Sequence, residues 1–149
     1  MKRILLLAFL AGCGQAADAP ARTFVPTAYT DTPDRAATDR LAALVPIDPD
    51  CHSAGVEALT LTDGDDTIFA SVAQGVVVVG PGPRDRVLAR APIAECGGSG
   101  DAMVSLSIGK SSSGARVIVA VATIGGHREA ETVVATFALR DDHSLERLP

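Results

Sequence analysis

With 149 residues, 47% of them apolar, the chain has material for one packed core and too much of it for wholesale disorder. A formal charge of −5, with Lys2 and Lys110 its two lysines and no basic stripe, argues against a nucleic-acid partner. Trp is absent and there are one Tyr and four Phe, so Ala, Val, Leu and Ile must supply the burial, and a sugar ring finds no aromatic platform.

The chain opens on a basic pair, Lys2-Arg3, followed by an apolar run, Ile4 to Ala11. Eight helical residues rise about 12 Å against roughly 30 Å of bilayer hydrocarbon, so the run is too short to span a membrane and fits a secretory signal peptide. It ends in Leu10-Ala11-Gly12-Cys13. A Leu, two small residues and then Cys resembles the bacterial lipoprotein signal, with the Leu three positions ahead of the Cys. The resemblance covers about a tenth of the chain and implies a diacylglycerol on the Cys13 thiol, with cleavage between Gly12 and Cys13. Residue 14 is Gly where the family's inner-membrane retention signal has Asp, which implies an outer-membrane address facing the periplasm or the cell surface. Loss of the signal removes two of the 13 basic side chains and none of the 18 acidic ones, so the mature chain stands near −7. Docking on an anionic lipid face is disfavoured, and the acyl chains, at about 0.8 kcal/mol per buried methylene, must do the anchoring.

Assigning Cys13 to lipid changes the cysteine count. Three cysteines in an exported chain normally leave one over, and lipidation of Cys13 leaves Cys51 and Cys96 as a pair. In an oxidising compartment these are expected to form a disulfide. Closing a loop of about 45 residues would contribute roughly 4 kcal/mol on the chain-entropy account. The alternative is a reactive Cys51 thiol with His52 as its base, although adjacent side chains in extended backbone point to opposite faces.

Residues 13–31 are rich in Ala, Pro and Thr without a clear period and read as a lipidated Cys and flexible tether, leaving 32–149 as the folded domain. A short N-terminal helix follows, with Thr32 as N-cap, Pro33 at its first position, Ala37, Leu41 and Leu44 on one face, and Pro46 ending it. From Gly55 the pattern turns to strands: residues 56–62, 67–73, 76–80, 86–91, 103–109, 115–124 and 131–139 are short and rich in β-branched side chains. Gly-, Asp- and Ser-rich turns separate them. No helical stretches intervene, so the fold class is mainly β, with antiparallel meanders. A weak repeat places Leu59 and Leu61 on Leu106 and Ile108, and Ile68–Ala73 on Val117–Ala122. Two such units are too few to close a propeller, so a small β-sandwich or partly open barrel is expected.

The acidic turn Asp63-Gly64-Asp65-Asp66 is the best local candidate for a ligand site. Carboxylates around a Gly can wrap Ca²⁺, but the distal Glu of an EF-hand loop is missing, and Asp-Gly is also a tight-turn signal between strands. His52, His127 and His143 are not spaced as metal ligands and read as surface or turn residues. Ser99 is flanked by Gly, but Asp101 breaks the Gly-x-Ser-x-Gly pattern. The loop Gly125 to Glu131 is a charged hairpin tip and a candidate contact surface. The expectation is thus a lipid-anchored, non-enzymatic envelope module with a protein partner and no cofactor. Two alternatives stand beside it: a small secreted hydrolase using Ser99 or Cys51 with His52 or His127, and a lipoprotein that binds Ca²⁺ or another ligand through Asp63, Asp65 and Asp66.

Overall fold

Strands of Val, Ile, Leu and Ala separated by turns of two to five residues can satisfy their backbone groups only by pairing with the next strand along, which dictates antiparallel meanders. A computed structural model describes residues 24–33, 35–46, 59–80, 85–94, 102–125 and 130–149. Its elements are β1 (Phe24–Thr30), α1 (Arg35–Ala42), β2 (Leu59–Asp63), β3 (Asp66–Ser71), β4 (Gly75–Gly80), β5 (Arg86–Ala91), β6 (Ala102–Ser111), β7 (Arg116–Gly125), β8 (Ala130–Leu139) and β9 (Leu145–Leu148). One sheet has the order β2-β3-β4-β5 and the other β1-β6-β7-β8-β9, and every pairing is antiparallel. The architecture is a β-sandwich; it is not a closed barrel.

The two sheets are built alike. Each contains a four-stranded meander, and matched positions carry matched core residues. Leu59 pairs with Ala70 and Ala70 with Val76; in the other sheet Leu106 pairs with Ala120 and Ala120 with Ala135. One step along, Leu61, Ile68 and Val78 correspond to Ile108, Ile118 and Phe137. The repeat seen in the sequence is therefore a structural one, shifted by a residue in its second strand: Ile68, Ala70 and Val72 match Ile118, Ala120 and Ala122. The shift follows from side-chain alternation. A one-residue slip would turn every apolar side chain of the strand away from the core, and these six residues all lie in the shared core.

That core lies between the sheets, where Leu59, Ile68, Val76, Val78, Leu106, Ile108, Ile118 and Phe137 are fully or almost fully buried. A smaller cluster covers the outer face of the four-stranded sheet, where Leu41 and Val45 sit on Phe69, Val77 and Val79. Leu41 and Val45 are one helical turn apart; Leu44, expected on that face, is 39% exposed. A polar latch fastens this end of the chain. Gln74, 1% exposed, donates from Nε2 to the Val45 carbonyl. The Ser71 hydroxyl donates to Gln74 Oε1 at 3.1 Å and accepts from the Gln74 amide at 3.0 Å. Gln74→Ala takes the donor from the Val45 carbonyl and the acceptor from the Ser71 hydroxyl proton, leaving the Ser71 oxygen its bond from the residue-74 amide, and should cost about 2 kcal/mol. A lower denaturant midpoint at unchanged slope would show it, and a midpoint equal to the parent's would mean the latch is replaced by water.

Two strands depart from the sequence expectation. Residues 24–30, expected to belong to the tether, form β1 and pair with β6 from Phe24↔Ser111 to Thr30↔Leu106. The register shifts between Pro26 and Ala28, and the Thr27 hydroxyl donates to the Ile108 carbonyl at 3.1 Å across that irregularity. A Pro has no amide to give a ladder, so it is tolerated at an edge strand or a bulge, and β1 offers both. Residues 24–30 thus belong to the five-stranded sheet. The second is β9, four residues with Glu146 and Arg147 at its centre, closing the sheet on its other edge. Arg147 reaches back across the sandwich to the carbonyls of Pro92 and Ile93 at 3.3 and 3.2 Å, with its guanidinium 6.0 Å from the Phe137 ring centre.

Candidate functional site

Asp63 and Asp66 face each other across the two-residue turn Gly64–Asp65, so the acidic stretch is a hairpin turn joining β2 to β3. Its carboxylates are directed at the opposite sheet. Arg116, first residue of β7, places Nε 2.8 Å and a terminal nitrogen 2.7 Å from Asp63 Oδ2, with the same terminal nitrogen 3.3 Å from Asp66 Oδ2. His143, in the turn between β8 and β9, sets Nδ1 3.0 Å from Asp66 Oδ2. Asp66 is the hub: its side chain is 5% exposed, and its second oxygen, Oδ1, is buried with no hydrogen-bond partner. Asp65 is exposed.

His143 is held there at a backbone cost. The β6–β7 and β8–β9 turns are built the same way: Gly114 donates to the Ser111 carbonyl and Ser111 to that of Ala115. His143 donates to the Arg140 carbonyl and Arg140 to that of Ser144. In the first turn Gly114 takes the left-handed position at φ 83°; in the second His143 takes it at φ 66°. A side chain there is disfavoured relative to Gly, although His is among the residues that tolerate it best. The imidazole contact with Asp66 explains the exchange of Gly for His. The preceding residue shapes the same turn, since the Ser144 hydroxyl and amide both donate to Asp142 Oδ1, at 2.6 and 3.0 Å. Those bonds favour the ionised form and hold the Asp142 carboxyl below its ordinary value of 3.8. Their contribution is present above that value and is lost as the pH falls below it.

Lys110 and Asp65 complete a hollow of about 510 Å³ lined by Asp63, Asp66, Arg116 and His143. Its chemistry is that of a clamp between sheets. Asp63 and Asp66 present oxygens to a permanent guanidinium cation, which leaves the calcium candidate with one unencumbered carboxylate, that of Asp65. Among the described residues no group of three or more His, Cys, Asp and Glu side chains is arranged to hold a metal ion. Among the described residues the imidazole of His143 contacts the Asp66 carboxylate, 3.0 Å from Nδ1. Cys13, Cys51, Cys96, His52, Ser99 and His127 lie outside the described residues. Arg116 and the Asp66–His143 contact were not visible in the sequence; the carboxylate and imidazole lie 77 residues apart along the chain.

A second surface stands out for what it lacks. Core side chains alternate with outward ones along a strand, so the outer face of the five-stranded sheet is read directly from the register. It presents Met103, Ser105, Ser107 and Gly109 from β6, Val117, Val119, Val121 and Thr123 from β7, and Thr132, Val134, Thr136 and Ala138 from β8. No position in that set is charged, in a chain where about one residue in five is. Tyr29 from β1 is 61% exposed, Met103 73% and Val134 59%. Phe24, Val117, Val119, Thr136, Leu148 and neighbouring atoms frame a hollow of about 260 Å³ at one end of the face. Neither protein-family models, nor curated proteins, nor solved structures give a match to this chain, so its function is read from these residues alone.

Proposed function

We propose that the chain is a lipid-anchored protein of the bacterial cell envelope, moored through Cys13 at the outer membrane, whose β-sandwich is a non-catalytic protein-interaction module. The observation that carries the interaction role is the uncharged outer face of the three central strands β6, β7 and β8, with Met103 and Val134, and Tyr29 beside them on β1, left open to solvent. Interface centres are depleted of charge and enriched in Tyr and Met, whereas a face that only meets water gains solubility from charges. Anchoring rests on Leu10-Ala11-Gly12-Cys13 behind its basic and apolar segments. Among the described residues no helix is long and apolar enough to cross a membrane.

Metabolic labelling with a radioactive fatty acid tests the anchor. Label should enter the parent chain and fall to background in Cys13→Ser, which should also keep the signal peptide, residues 1–12, and so be recovered as the uncleaved precursor. Label retained by Cys13→Ser, or never taken up by the parent, would remove the lipoprotein reading. The interaction role is tested separately, by crosslinking from the sheet face, as follows.

A further inference from the structure

We infer that the outer face of the five-stranded sheet is occupied by a second copy of this chain, the two sheets packing face to face about a two-fold axis. The inference deepens the interaction reading above by naming the partner, and it rests on that reading. Three observations select this occupant.

The first is charge. Each mature chain carries 11 basic and 18 acidic side chains, near −7, so two copies repel one another wherever acidic side chains meet. The set from Met103 to Ala138 on β6, β7 and β8 holds no charge, and the nearest carboxylate on the outer side of β9, Glu146, is ion-paired with Arg140. Two copies meeting there bury no unpaired charge, the term that most strongly opposes association. A partner with an ordinary mixed-charge surface would have to bury its own charges against Ser, Thr and Val, which offer them no counter-ion.

The second is area. Three ten-residue strands flanked by seven-residue β1 and four-residue β9 make a face of about 650 Å² at the usual strand spacing and rise. Two such faces bury about 1,300 Å², inside the range of stable protein interfaces. An isologous contact needs a surface complementary to itself, and pleated sheet faces can stack on one another, as the inner faces of the two sheets do in this domain's core.

The third is direction. A two-fold axis running along the strands leaves the N-terminal ends of both copies of β1 pointing the same way, as two chains moored in one bilayer require.

The test uses the full chain, expressed at its native level in intact envelopes, with a photo-reactive phenylalanine analogue at one position at a time. Placed at Met103 or Val134, it should give a product of twice the chain mass. Placed at Val87, 37% exposed on the four-stranded sheet, it should give none. Val134→Lys puts an ammonium into the contact from an already exposed position, so it should lower the doubled product from Met103 at least about tenfold while leaving the far-ultraviolet circular dichroism of the domain unchanged. Products from Met103 and Val134 of other masses only would overturn the second copy and leave the interaction reading standing. No product from either position would overturn both, as would an equal yield of doubled product from Val87 and Val134.

Discussion

Replacing Arg116 with alanine should lower the stability of the domain by about 3 kcal/mol and its melting temperature by roughly 10 °C. The size of the effect follows from what is left behind. Arg116 is the cation shared by Asp63 and Asp66, and Asp66 is buried with Oδ1 already lacking a partner. Without the guanidinium the Asp66 carboxylate retains, among the described residues, the His143 contact alone, and an under-compensated buried charge is among the most destabilising states a side chain can occupy. Asp63, a third exposed, relaxes into water and contributes little to the loss. Asp66→Asn added to Arg116→Ala removes the stranded charge and should restore more than half of the lost stability. The double-mutant cycle measured by denaturant unfolding separates these contributions. A single-variant loss under about 0.5 kcal/mol would mean that solvent screens the cluster and that the sheets are held by apolar burial alone.

Gly109→Ala should detach β1 from the domain. A methyl group at residue 109 would stand 2.2 Å from the Val25 carbonyl oxygen and 2.8 Å from the Pro26 Cα. Both are backbone atoms of the neighbouring strand, so no side-chain rotation relieves the clash and β1 itself must move. Overpacking in a well-fitted site costs about 1–3 kcal/mol, enough to lift off an edge strand held on one side only. Amides of β1 and the β1-facing amides of β6 should lose protection from hydrogen exchange, while those of β7 and β8 keep theirs. The variant also reports on function, since Tyr29 leaves the sheet face with β1. Protection of β1 equal to the parent's would show that the strand slides to accommodate the methyl group. Uniform loss of protection throughout would show that β1 is integral to global stability.

The sequence revealed the interior of the sandwich far better than its rims. Seven strand segments between residues 56 and 139 were legible because their inward side chains are Val, Ile, Leu and Ala at period two, a pattern imposed by the core itself. β1 and β9 were not, for one physical reason. Edge strands need fewer apolar contacts and tolerate Pro and charge, so FVPTAYT and LERL look like linker and tail. The acidic turn was readable as a hairpin from Asp-Gly, but its ion-pair partners come from the other sheet, and no local spacing encodes which turns meet in space. The internal repeat is visible in the sequence but one residue out of step in its second strand, because apolar similarity aligns Val117 with Ile68 where side-chain alternation sets Ile118 opposite Phe137. The uncharged outer face was equally present in the sequence, as Ser, Thr and Val at alternate positions. It becomes a surface only once the register aligns those positions across three strands.

The pairing of β1 with β6 also has a consequence for how the molecule is made. Every other strand contact in the two meanders joins neighbours in the chain, so each hairpin can close within microseconds of emerging. β1 is the exception: its partner lies about eighty residues downstream, and the whole first meander intervenes. The strand that leaves the ribosome first is therefore the last able to find its place, and until β6 arrives it remains unpaired. Order of synthesis and order of assembly run in opposite directions here, and completion of the sheet is timed by its most distant pairing.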